Sequence, residues 1–151
     1  MARAPKKIQM INGPNLNMLG KRQPEIYGAL SLTQINTNLE KKAEDLGMQL
    51  LFFQSNHEGD IVDKIHQVFD QKIEGVIINP GAFTHTSVAI RDAFLLLSCP
   101  IIEVHLSNIY KRESFRHKSI LADIITGQIS GFGSYGYTLA LNAIANMINE
   151  F

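Results

Sequence analysis

Apolar residues along this chain follow two rhythms that take turns. Short apolar runs, Ile8 to Ile11, Met48 to Gln54, Gly75 to Asn79 and Ile101 to Leu106, have the length of strands, and Gly75 to Asn79 is continuous and β-branched, as a strand covered on both faces should be. Between them, apolar positions recur every three to four residues, as on one face of a helix. Leu32, Ile35, Leu39, Ala43 and Leu46 form the first such stripe. It opens on Ser31-Leu-Thr-Gln34, the pattern of a capping box, and Gly47 ends it. Glu58 to Lys72 predicts a second helix with Ile61, Ile65, Val68 and Phe69 as its buried stripe. Val88 to Leu97 predicts a third, Gln128 to Ser130 a weak fifth strand, and Tyr137 to Phe151 the last helix.

Such alternation with short connections implies an α/β fold: a five-stranded parallel sheet with helices on both faces, joined by right-handed crossovers. The flavodoxin-like strand order suits five units. With no repeat, low-complexity tract or linker, residues 1–151 read as a single domain. The first strand runs into Asn12-Gly-Pro-Asn15-Leu-Asn-Met-Leu19, then Gly20, Arg22 and Tyr27-Gly28. Amides, glycines and a proline at a strand's carboxyl end present polar groups where open α/β sheets bind ligands. The long connections, 13–30 and 107–125, fall on this edge, and long loops in compact domains are usually functional. Asn79-Pro-Gly-Ala-Phe-Thr-His85 and Ser55-Asn56-His57 fall there too. One crevice is expected, lined by the loops after the first, third and fourth strands.

Several groups on that edge could do chemistry. Glu103 and His105 are two apart on a strand, so they share a face; a carboxylate beside an imidazole favours its protonated form, though a structural ion pair reads equally well. Arg22 and Tyr27 share a glycine-bracketed loop, where a guanidinium would favour the phenolate and the loop could close over a ligand. His85 follows a Pro-Gly turn and suits a polar ligand contact or a helix cap. Arg112 and Arg116, four apart, could share a helical face and grip a carboxylate, or decorate a solvated loop. His66, mid-helix, reads as structural, and His57 and His117 as loop residues without a partner in sequence. Gly131-Phe-Gly-Ser-Tyr-Gly136 has dinucleotide-binding spacing, but the chain ends before the acidic residue that fingerprint needs; a tight strand-to-helix turn explains it better.

Composition narrows the classes further. Hydrophobic residues make up 45% and charged ones 19%, ordinary values for a globular protein, and net charge is zero with histidines neutral. Nothing here suggests a nucleic-acid or anionic-membrane partner. The lone Cys99, in an apolar segment, reads as a small buried hydrophobe, and a chain without disulfides fits a reducing cytoplasm. The start lacks a signal-peptide pattern and no segment has the length of a membrane span. No histidines or cysteines have metal-ligand spacing. No metal and no cofactor is expected.

Taken together, the motifs resemble the type II 3-dehydroquinate dehydratases of the shikimate and quinate pathways. The likeness runs in order through Asn12-Gly-Pro-Asn-Leu-Asn17, Gly20-x-Arg22 with Tyr27-Gly28, Gln54-Ser-Asn56, Asn79-Pro-Gly-Ala-Phe-Thr-His85-Thr-Ser87, Arg91-Asp-Ala93, Ile102-Glu-Val-His-Leu-Ser-Asn108, Arg112-Glu-x-Phe-Arg116 and Gly131-x-Gly-x-x-Gly136-Tyr137. The resemblance implies reversible anti dehydration of 3-dehydroquinate to 3-dehydroshikimate through an enolate, with no Schiff base. It implies Tyr27 as base, Arg22 as its electrostatic partner, Asn15 at the enolate through a water, and His105, oriented by Glu103, as acid. Asn79, His85 and Arg116 would bind ring hydroxyls, Leu106 and Ser107 the substrate carboxylate, with Arg112 a second arginine on the closing side. Asp92 would reach a neighbouring subunit's site in a homo-dodecamer assembled as a tetramer of trimers. Two alternatives to an enzyme remain on the residues alone, a flavodoxin-like module binding a small ligand or nucleotide and a structural α/β protein.

Overall fold

The computed structural model describes residues 3–21 and 23–149. Strands β1 (Lys6–Asn12), β2 (Met48–Gln54), β3 (Gly75–Asn79), β4 (Ile101–His105) and β5 (Gly127–Ser130) form one parallel sheet in the order β2-β1-β3-β4-β5. This is the flavodoxin-like order, in which the chain reverses direction across the sheet between β1 and β3. Helices α1 (Pro24–Tyr27), α2 (Leu32–Asp45), α3 (Glu58–Asp70), α4 (Val88–Phe94) and α5 (Tyr135–Asn149) complete it. Among the described residues no helix is long and apolar enough to cross a membrane.

Alternation along the strands sends side chains into two separate cores. Ile8, Met10, Ile77, Ile102 and Val104 meet α2 and α5 on one face. Ile11, Val76, Ile78 and Ile101 meet α3, α4 and the Leu121 region on the other. Because β1, β3 and β4 are covered on both faces, they are mostly apolar, and the buried polar residues they carry stand out. Glu103 and His105 are the notable ones, on the α3 and α4 face by their register with Ile101. Packing on the opposite face, against α5, is close. A Cβ on Gly136 would sit 3.2 Å from Val104 Cγ1, so that glycine lets α5 lie directly on β4.

Local signals account for most helix ends. Ser31 and Gln34 form the capping box of α2, and Gly47, at φ 73°, follows its end. Ser87 caps α4 through Ile90 N–H at 3.0 Å. Four expectations need correction. Helix α4 stops at Phe94 rather than Leu97, its exit tightening into shorter-range bonds ahead of Pro100 and leaving Leu95 and Leu96 exposed. Phe69 is exposed, because Val68 takes the inward place in the last turn of α3. Helix α5 begins two residues before Tyr137, at Tyr135, and the expected terminus at Phe151 lies outside the described residues. Cys99 is half-buried in the turn before β4, with burial pushing its thiol upward, rather than enclosed in a strand.

Register then decides what meets at the carboxyl edge. Asn12 pairs with Gln54 on one side and Asn79 on the other, and His105 pairs with Ser130. The β3–β4 ladder runs only to Ile78↔Glu103. Past it the chains leading from β1, β3 and β4 part, and a crevice opens at the switch point.

Candidate active site

The floor of the crevice is a buried polar network. Tyr137 of α5, fully buried, donates its hydroxyl to Asn12 Oδ1 at 2.6 Å and accepts from Asn79 Nδ2 at 2.9 Å. Asn79 Oδ1 in turn accepts the Gly81 backbone N–H at 3.2 Å, shaping the turn that follows β3. Burial pushes the Tyr137 phenol well above the usual tyrosine range, so it stays a neutral donor. Gly13 has no room for a side chain, since a Cβ would run into the Pro80 carbonyl. Its own N–H donates to Asn79 O at 2.8 Å. The loops after β1 and β3 are thereby locked together.

Above this floor, the loop after β1 is held from β2. Asn15 sits at φ 69°, a left-handed conformation that asparagine tolerates better than most residues. Its backbone N–H donates to Asn56 Oδ1 at 2.9 Å. Gln54 Nε2 donates to that same oxygen at 3.2 Å and to Gly13 O at 3.1 Å. Further along, Pro24 starts the one-turn helix α1 with its fixed φ, and Gly28 at φ 90° closes it. Tyr27, half-buried, projects from that turn, and the Arg112 guanidinium lies 5.4 Å from its ring centroid.

Across the crevice, His105 Nε2 meets Glu103 Oε2 at 2.6 Å. Both side chains are buried, Glu103 completely. The loop after β4 supplies the remaining wall. Short helical turns at Ile109–Lys111 and Ser114–Arg116 bring Arg112 and Arg116 to the opening, where Arg112 donates to Ser107 Oγ at 3.4 Å. Arg116 donates to Glu113 at 2.9 Å and holds that carboxyl below its usual range. His117 Nε2 is 2.8 Å from Arg112 O, and its ring tilts against Tyr110.

These walls enclose a cavity of about 190 Å³. It is lined by Asn15, Tyr27, Asn79, His85, His105, Leu106, Ser107, Arg112 and Arg116, with apolar Pro14, Leu16, Leu19 and Ile109 between them. Among the described residues on its wall there is no carboxylate; the charged groups are arginines and the titratable ones histidines and a tyrosine. The space suits one small anionic molecule, with a phenol and an imidazole on its wall. A family model described as dehydroquinase class II matches residues 6–145. The chain belongs to that family.

Individual relatives agree. The 3-dehydroquinate dehydratase of Clostridium perfringens is 54% identical over 142 residues, covering 94% of this chain and 99% of that protein. That of Caldicellulosiruptor bescii is 52% identical over 144 residues, covering 95% and 99%. The crystal structure of a type II dehydroquinase from Propionibacterium acnes superposes with a TM-score of 0.91 at 41% identity, covering 96% of this chain and 99% of that one.

Against the residue expectations for a class II dehydroquinase, the outcome is uneven. Tyr27, Asn15, His105, Asn79, His85, Leu106, Ser107, Arg112 and Arg116 all line the cavity. Glu103 lies behind His105, off the wall. Arg22 lies outside the described residues. Asp92 is exposed on α4 and is not on its own chain's cavity wall. Arg112 and Arg116 do not share a helix, since a break at Arg112 and Glu113 separates their two turns. His117, expected to lack a partner, has two. Sequence reasoning also missed Asn56, Ser119, Gln128 and Tyr137 as supports. Asn56 and Tyr137 stood in the motifs that carry the resemblance without a task assigned to them, and strand register, which places Glu103 opposite Gln128, could have pointed to Gln128.

Proposed function

We propose that this chain catalyses the reversible dehydration of 3-dehydroquinate to 3-dehydroshikimate. The observation that carries the reading is a cavity with no carboxylate among the described residues of its wall, lined by Tyr27 and by His105 with Glu103 buried behind it, in a chain of the class II dehydroquinase family. Tyr27, as phenolate, takes a proton from the carbon next to the ketone, and the electron pair moves onto the ketone oxygen as an enolate. That anion collapses, the carbon–oxygen bond to the tertiary hydroxyl breaks, and His105 donates the proton with which it leaves as water. Tyr27 then gives its proton up and His105 regains one through solvent, so that enone and water together account for every atom of the substrate. Such proton transfers need groups within hydrogen-bond reach of the reacting atoms and no covalent adduct.

Each remaining residue has a matching task. The Arg112 guanidinium over the Tyr27 ring gives a phenolate cationic company, and Arg22 has the same role by resemblance. Asn15 holds a water against the enolate oxygen. The backbone amides after His105 and the Ser107 hydroxyl receive the substrate carboxylate, and Asn79, His85 and Arg116 bind ring hydroxyls. The chain works in the cytoplasm as a dodecamer made of four trimers, with Asp92 entering a neighbour's site. Support for that contact is the exposed apolar group of Val88 on α4 and Leu95 and Leu96 just past its end, near Asp92 in sequence.

Absorbance of the conjugated enone tests the activity. Purified protein with 3-dehydroquinate should generate it steadily. Tyr27→Phe should lower turnover by about a thousandfold or more, with substrate affinity within a few-fold. A Tyr27→Phe protein within about tenfold of the parent would remove Tyr27 as base.

A further inference from the structure

Glu103 is a fully buried carboxylate on which three groups converge. Its Oε2 is 2.6 Å from His105 Nε2 and accepts from Gln128 Nε2, also at 2.6 Å; its Oε1 accepts from Ser119 Oγ at 2.7 Å. The Ser119 oxygen already accepts the Leu121 backbone N–H at 3.2 Å, which leaves its own proton for Glu103. An amide nitrogen can only donate. Gln128 comes within reach because it is the cross-strand partner of Glu103, on the outermost strand β5.

Both carboxylate oxygens are therefore committed as acceptors by partners other than histidine. An acceptor-only carboxylate requires the third partner, His105 Nε2, to carry a proton. We propose that Gln128 and Ser119 are positioning residues for the acid. By saturating Glu103 with donors they hold His105 as the Nε2–H form and reserve Nδ1 for the proton given to the departing hydroxyl. With either donor gone, the carboxyl can rotate or take up a proton of its own, and the imidazole loses its fixed tautomer. The catalytic half of this inference rests on the dehydratase reading above; the tautomer half does not.

Two readouts test it. The first is the ¹⁵N imidazole spectrum of the resting protein, taken without substrate at a pH where His105 is neutral. The parent should show His105 as a single Nε2–H species, and Ser119→Ala and Gln128→Leu a mixture of both tautomers. Ser119→Thr, which keeps the hydroxyl, should restore the single species. The second is turnover: Ser119→Ala and Gln128→Leu should each lower kcat about tenfold with KM within about twofold, the split expected of groups that act on the chemical step. A single Nε2–H species in Ser119→Ala, with unchanged kcat, overturns the proposal; so does a parent protein found as Nδ1–H. If Gln128→Leu does not fold, the Ser119 pair decides. A parent without dehydratase activity defeats the functional reading and leaves the tautomer result to stand alone.

Discussion

Two tyrosines, one in the buried floor and one on the cavity wall, illustrate how environment assigns work to a side chain. Tyr137 is sealed between two asparagines and held neutral, which suits a structural donor. Tyr27 is half-buried at a cavity wall beside a guanidinium, which suits a group that gains and loses a proton. A quieter dependence concerns Asn15. Its left-handed backbone is pinned by one oxygen, Asn56 Oδ1, which accepts from both Asn15 and Gln54. Asn56→Ala removes that acceptor and should cut turnover about tenfold, the worth of one hydrogen bond. Asn56→Asp keeps an acceptor for both donors and should stay close to the parent; steady-state rates on the two variants check this. Glu103 and His105 were legible in sequence because a spacing of two is enough to put them on one face. Asn56, Ser119 and Gln128 were not, since their partners are set by strand pairing and loop path, which one sequence does not encode locally.

Elements with strong periodicity read cleanly. Strands β2 and β3 and the start of α2 fall where the pattern puts them, because apolar runs, the capping box and Gly47 act over a few residues. Helix α1 was hidden: a single turn has too few positions for a period, and only Pro24 and Gly28 mark its ends. The exit of α4 was misjudged because Leu95 to Leu97 continue the apolar pattern past the point where Pro100 forces the chain to straighten. The tie between β1, β3 and α5 through Tyr137 carries its own prediction. Tyr137→Phe leaves Asn12 without its donor and Asn79 without its acceptor, and should cost about 2–3 kcal/mol in urea unfolding. The folded phenol titrates above the unfolded one. Its contribution is therefore complete below the ordinary tyrosine value of 10.0 and lost as pH rises beyond it. Stability of the parent should fall through that range more steeply than stability of Tyr137→Phe, as urea midpoints at a series of alkaline pH values would show.

At the scale of the whole molecule, strand order does most of the work. Placing β1 and β3 side by side at the switch point opens a crevice whose walls come from loops far apart in sequence. The loop lengths foretold which connections matter, and the register explains why Asn12, Asn79 and His105 gather at one edge. The exposed pair Leu95 and Leu96 was not legible in the residues, because it emerges only once α4 is known to end at Phe94. Light scattering should give a mass of twelve chains, and Leu95→Glu with Leu96→Glu should shift it to smaller species with loss of activity. The chemical claim itself is that base and acid face opposite sides of one ring. Dehydration of 3-dehydroquinate carrying deuterium at a single C2 position, followed by mass spectrometry of the product, tests it directly. Loss of the hydrogen anti to the departing hydroxyl is the expected course. Loss of the syn hydrogen would contradict an arrangement with Tyr27 on one side and His105 on the other.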